Sequence, residues 1–284
     1  MLIKLLSFAL LASSFSVKAL QFQAPLTDTH WQVVETPLMC SLSQSISDFG
    51  DAKFEQHSGS ELNLVFTTKS YPAQKETTAN FEIAEAPWQN IEQRLPLVAV
   101  PTVSNQSEFI LSGRLAKQAL TQLQEGHFPT LRYNSPNTSE EISVLMSTVH
   151  LNDSLPAFQE CLSNLYPDTF EDMHLLTVHF ALESTNLSTA SKKALTRLAN
   201  YVKVDESIKH ISIKGHTDNH GRKRLNEPLS AQRAISVKNY LTKECELPEA
   251  LFSTSAYRDR KPKTTNKTNE GRALNRRAEI ELFR

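Results

Sequence analysis

The sequence predicts an α+β protein in two domains, a β-rich one followed by a layered βαβαββ one with helices packed on a mixed sheet. Three observations carry that expectation. The chain has 284 residues, enough for two domains at the usual ~100–200 residues each. Short apolar–polar runs, parted by Ser, Thr, Asn, Gly and Pro clusters, fill it to about Pro167. From His174 onward strand periodicity alternates with helix periodicity. The expected boundaries are 1–19 for a cleaved segment, 20–167 for the first domain and 168–284 for the second.

The chain opens with a short basic stretch (1–4), an apolar run (5–11) and small residues up to Val17-Lys18-Ala19. That order is the signature of a secretory signal peptide, with cleavage near Ala19. The apolar run is well short of the ~20 residues a membrane span needs, and no later segment is a candidate span. Export makes Cys40, Cys161 and Cys245 informative, since an oxidising compartment favours one bridge with one cysteine left over. Three pairings are open.

In the first domain, strands are expected at 31–34, 39–42, 61–66, 97–100, 108–111 and 142–149, with a loop around 135–139. A helix is expected over 113–125, where Ala116, Ala119, Leu120 and Leu123 share one face and Gly126 stops it. A second helix over 155–166 carries Cys161. A Cys40–Cys161 bridge is the preferred pairing, because it would tie an early strand to the closing helix. Trp31, Trp88, Phe109 and Phe128 read as core. The domain shows no nucleophile–base motif, phosphate loop or Cys-x-x-Cys pair, and His57, His127 and His150 have no motif around them.

After an acidic connector at 167–172, the second domain should begin with a strand over 175–180. Ser188 or Thr189 caps a helix to about 204, whose buried stripe is Leu195, Leu198, Ala199 and Val202. A strand follows at 208–215. The next helix is expected to be capped by Asn226 or Ser230, with Ala234, Val237 and Leu241 inward; strands at 252–256 and 277–283 complete the sheet. Net charge is −1, but residues 209–284 hold 17 Lys and Arg against 9 Asp and Glu, while the remainder holds 13 against 22. A basic segment in an exported chain suggests a carboxylate-bearing partner rather than nucleic acid.

The strand at 208–215 delivers His216, Thr217 and Asp218 to a sheet edge, and Arg233 lies fifteen positions beyond Asp218. A carboxylate and a guanidinium so placed can grip a ligand that carries both an ammonium and a carboxylate. His216, Asp218 and His220 have a metal-like look, yet a histidine in such a turn reads as a hydrogen-bonding residue, and neither a metal nor another cofactor is expected.

His216-Thr217-Asp218, Asn226, Leu229-Ser230, Arg233-Ala234 and Glu270-Gly-Arg-Ala-x-Asn-Arg-Arg277 resemble the OmpA-like peptidoglycan-binding domain over roughly 110 residues. The resemblance implies a non-covalent hold on the diaminopimelate of the peptidoglycan stem. It places Asp218 on the ammonium, Arg233 on the carboxylate and Arg276 as a second basic contact, with Thr217 and Asn226 lining the pocket and Leu229 shaping the helix entry. The sequence departs from the family after Phe180, where Ala181-Leu182-Glu183 stands, and at Ser255-Ala-Tyr-Arg-Asp259. Trp31-Gln-Val-Val, Pro37-Leu-x-Cys40, Ser47-x-Phe-Gly-Asp-Ala-x-Phe54 and Leu155-Pro-Ala-Phe-x-x-Cys161 resemble the MotY family of sodium-type polar flagellar motor proteins. That resemblance implies a periplasmic, non-enzymatic protein whose first domain docks on the flagellar basal body. It further implies a ring with the partner MotX and a role in stator assembly. The other functions in view are an OmpA-like tether of a different envelope assembly and a cell-wall hydrolase with a binding module.

Overall fold

Short strands, several of them buried at nearly every residue, build most of the first half of the chain. The computed structural model describes residues 19–284 apart from 26, 28 and 90–92. The expected signal segment, Ala19 excepted, lies outside the described residues. The chain divides into two units between Asn164 and Leu165.

The first unit holds β1 (Ala19–Gln23), β2 (Trp31–Thr36), β3 (Met39–Ile46), β4 (Gly50–His57), β5 (Asn63–Thr68), β6 (Thr78–Ala84), β7 (Arg94–Pro101), β8 (Glu108–Ser112), β9 (Phe128–Asn134) and β10 (Glu141–Leu145). They form two five-stranded sheets, in the orders β2-β3-β4-β5-β8 and β1-β10-β9-β6-β7. Aromatic side chains join the sheets: Phe66 meets Phe81 at 6.2 Å between ring centroids and Phe109 meets Tyr133 at 4.4 Å. Helix α1 (Arg114–Gln124) buries Ala116, Ala119 and Leu123, three of the four residues expected on its inner face.

Helix α2 (Leu151–Asn164) begins four residues before its expected start, with Pro156 inside it. Leu151, Leu155, Phe158 and Cys161 form its buried stripe. Cys40 on β3 and Cys161 on α2 are disulfide-bonded, closing a separation of 121 residues. Cys245 is free and buried. Strands β1, β4, β6 and β9 were not expected. Gly50, Ala52 and Phe54 point inward from β4, but Phe54 is the one large apolar residue among them and the intervening residues are charged, so the apolar signal is faint. In β9 Pro129 hides a buried strand, since proline reads as a strand breaker.

In the second unit the expected acidic connector contains a short helix, α3 (Phe170–Met173), closed by a capping box between Thr169 and Asp172. It is followed by β11 (Leu175–His179), α4 (Thr189–Val204), β12 (His210–His216), α5 (Lys223–Asn239), β13 (Phe252–Arg258), α6 (Asn269–Asn275) and β14 (Arg277–Phe283). Ser188 caps α4 as expected, its hydroxyl accepting the Ser191 N–H at 3.1 Å. The sheet order is β11-β14-β12-β13, with β12 parallel to β13 and antiparallel to β14. It is therefore the mixed sheet expected, with α4 packed on β11 and α5 on β12 and β13. Gly215, near the end of β12, sets the approach of α5. A Cβ there would fall on the Ser230 carbonyl oxygen, so strand and helix backbones touch. That contact fixes how far Asp218 stands from Arg233.

Candidate functional site

Helix α5 begins at Lys223, earlier than the sequence suggests, and Arg222 occupies its N-cap position without a side-chain capping bond. Neither Asn226 nor Ser230 caps it. The Asn226 amide instead donates to the carbonyls of His220 (2.9 Å) and Asp218 (3.4 Å), pinning the loop between β12 and α5. The Ser230 hydroxyl donates to the Glu227 carbonyl at 2.9 Å. Arg233 thus sits in the helix interior rather than on its first turns.

Arg233 has no exposed surface. Its guanidinium donates to three carbonyl oxygens: Nε to Ser184 (3.0 Å), Nη1 to His216 (2.8 Å) and Nη2 to Ala181 (3.2 Å). The group also lies 5.3 Å from the Phe180 ring centroid. Burial pushes its pKa down to about 10; Asp218 opposes the shift and Arg276 adds to it. The side chain therefore remains a cation at neutral pH. Three of its five N–H donors are engaged among the described residues, which leaves two.

Asp218 pairs with Arg276, not with Arg233. Arg276 Nη1 donates to Asp218 Oδ2 at 2.9 Å, and its Nε donates to the Phe180 carbonyl at 3.2 Å. The other carboxylate oxygen accepts the His220 N–H at 3.1 Å. Arg277 turns the opposite way, as strand alternation requires, donating to Glu279 (2.8 Å) and to the Lys261 carbonyl (3.1 Å). The Thr217 N–H donates to the Arg258 carbonyl at 2.9 Å, while its buried hydroxyl has no partner among the described residues. Leu229 is half-buried on α5, one turn before Arg233. Two guanidiniums thus gather around one carboxylate, an excess of positive charge that suits an incoming anionic group.

His216 is buried and stacks on the Tyr257 ring at 5.4 Å. Neither ring nitrogen has a hydrogen-bond partner among the described residues, and Glu279 lies 3.7 Å away. Burial and then Arg277 lower its pKa to about 4; Glu279 opposes them, and Lys261 and Lys214 add to the lowering. Among the described residues no three His, Cys, Asp or Glu side chains gather as a metal site would require. A histidine kept neutral by the fold contributes stability that is complete above its unfolded pKa of ~6.5 and is lost as pH falls toward its folded value. Acid titration should therefore destabilise the second unit between about pH 6.5 and 4, by up to ~3 kcal/mol, and His216→Gln should flatten that part of the profile.

The structure brings Asp218, Asn226, Arg233 and Arg276 into one bonded cluster with the backbone of 180–184 and 216–220. Sequence reasoning missed the Phe180, Ala181 and Ser184 carbonyls, which no side-chain pattern reveals.

The chain matches the MotY N-terminal domain over residues 22–167 and the OmpA family over 179–276. It is 30% identical to the sodium-type flagellar protein MotY of Vibrio parahaemolyticus over 275 residues, covering 96% of this chain and 94% of that protein. It is 36% identical to the peptidoglycan-binding protein ArfA of Mycobacterium tuberculosis over 103 residues, 36% of this chain and 31% of that one. Among solved structures, the peptidoglycan-associated lipoprotein from Burkholderia pseudomallei is similar at 26% identity over 38% of this chain and 89% of that one, with a TM-score of 0.36.

Proposed function

The chain belongs to the MotY family of flagellar proteins and carries an OmpA domain, and from that premise we propose that it is a non-enzymatic periplasmic anchor of the flagellar motor. The second unit binds peptidoglycan and the first docks on the basal body, in a ring with MotX that supports stator assembly. The observation that carries the binding half is the buried set of opposed charges, Asp218 beside Arg276 with Arg233 behind them, at a strand-to-helix junction. Diaminopimelate ends in an ammonium and a carboxylate on one carbon, which calls for opposite charges at fixed separation. Asp218 takes the ammonium. Arg276, the more exposed of the two guanidiniums, meets the carboxylate first. Arg233, buried behind them, adds its positive charge to the field that receives the carboxylate. Thr217 offers a hydroxyl that is otherwise unpaired among the described residues, while Asn226 and Leu229 hold and shape the entrance.

The test is co-sedimentation of the full chain with purified sacculi. Wild type should pellet, and Asp218→Asn, folded as judged by its circular dichroism, should lose at least about tenfold in affinity, the usual worth of a charged hydrogen bond. An Asp218→Asn protein that pellets like wild type sinks the assignment of the site. The motor half is tested separately by swimming. A deletion strain should be non-motile, whereas one that swims normally would make the protein a tether of some other envelope assembly.

A further inference from the structure

Two exposed basic segments adjoin the Asp218 cluster, and their cationic side chains take no part in it. The first runs straight on from Asp218 and carries Arg222, Lys223 and Arg224, all exposed, at the start of α5. The second follows β13 and carries Lys261 and Lys263, also exposed. Among the described residues none of these five side chains is in an ion pair, although Lys261 lies 4.2 Å over the Tyr257 ring. Both loops are tied to the cluster by backbone. The Asn226 amide holds the first through the His220 carbonyl. The second is held where the Thr217 N–H meets the Arg258 carbonyl and where the Lys263 N–H meets Asn275, the residue before Arg276, at 2.7 Å. Glu227 on α5 bridges the loops through Arg258 at 2.9 Å.

The first loop is costly to the fold. A helix N-terminus carries partial positive charge and favours acidic residues in its first turn and a small polar cap before it. Here the cap is Arg222, the next two residues are cations, and the first turn has no acidic residue. A local rule broken at an exposed turn, beside a charged cluster, points to binding.

We propose that these five cations form an electrostatic collar that binds the free carboxylates of the peptidoglycan stem peptides around the one held at Asp218. This rests on the peptidoglycan reading of the cluster. Free carboxylates recur along the polymer, so a collar engages neighbours of the gripped group and concentrates the domain at the wall. Such attraction acts over roughly a Debye length, ~10 Å at 0.1 M salt, and weakens as salt rises. A single free diaminopimelate molecule fits the cluster and carries no net charge, so the collar adds little to its binding.

The experiment compares sacculi with free meso-diaminopimelate, at low and high salt, using the full chain. The combined Arg222→Gln, Lys223→Gln, Arg224→Gln, Lys261→Gln and Lys263→Gln protein should bind sacculi about tenfold more weakly at low salt and match wild type at high salt. Its affinity for meso-diaminopimelate should be unchanged. The single variant Arg222→Asp gives the helix a capping carboxylate, so it should raise Tm while weakening sacculus binding. Unchanged sacculus binding at low salt would overturn the collar, and so would an equal loss of meso-diaminopimelate affinity. Should Asp218→Asn bind both sacculi and meso-diaminopimelate as tightly as wild type while the collar variant loses sacculi at low salt, the cluster assignment fails and the collar stands. A wild-type chain that ignores sacculi even at low salt would end both.

Discussion

Arg233→Ala is expected to destabilise the second unit by ~3–5 kcal/mol, the range for breaking a buried charged network. Its guanidinium is the donor for three carbonyls from two separate segments, 181–184 and 216. Alanine leaves all three without that partner and opens a cavity beneath Phe180. Lysine is no substitute, because a point charge cannot serve three directions as a planar fork does. Trp31 and Trp88 both lie in the first unit, so tryptophan fluorescence follows that unit while far-UV circular dichroism follows both. The dichroism transition should move to lower denaturant with the fluorescence transition in place. An unmoved dichroism transition would show that Arg233 is not the clamp described. Loss of sacculus binding in this variant thus tests folding as much as recognition. Asp218→Asn is the cleaner probe, since asparagine can still accept the His220 N–H.

Removing the Cys40–Cys161 bridge is expected to cost the first unit ~5 kcal/mol in the chain-entropy account, given a separation of 121 residues. The bridge fastens α2 to the sheet that carries β3, and α2 also holds Trp31 through the Ser154 hydroxyl and the Trp31 carbonyl, 3.0 Å apart. A Cys40→Ala, Cys161→Ala protein should show the loss in its fluorescence transition and leave the second unit's transition where it was. A shift worth less than ~1 kcal/mol would mean that the sheet packing alone holds α2, contrary to the long-loop argument.

Much of the second unit was legible because its signals are local. Ser188 precedes a clean apolar stripe, and Ile211 and Ile213 alternate toward Gly215. The start of α5 was misplaced because Asn226 and Ser230 look like caps, while the true first turn is made of arginine and lysine. Those residues form helices readily but carry neither a capping side chain nor the acidic charge that marks a helix start. In the first unit, β4, β6 and β9 escaped because Ala52, Ala79 and Pro129 give weak strand signals, and their burial comes from the opposing sheet. The site residues were legible as types and spacings. Their wiring was not. Asp218 and Arg233 stand fifteen positions apart and invite pairing, yet the carboxylate is paired with Arg276 from beyond β13, and Arg233 serves backbone that no sequence pattern marks.

The central claim is that this cluster recognises an ammonium and a carboxylate together. Calorimetric titration of the full chain with meso-diaminopimelate, cadaverine and pimelate tests it most directly. Cadaverine keeps the amines without the carboxylates, and pimelate keeps the carboxylates without the amines. Meso-diaminopimelate should bind at least about tenfold more tightly than either, because each analogue leaves one buried charge unanswered. Binding of all three alike, or of pimelate as tightly as meso-diaminopimelate, would contradict the account.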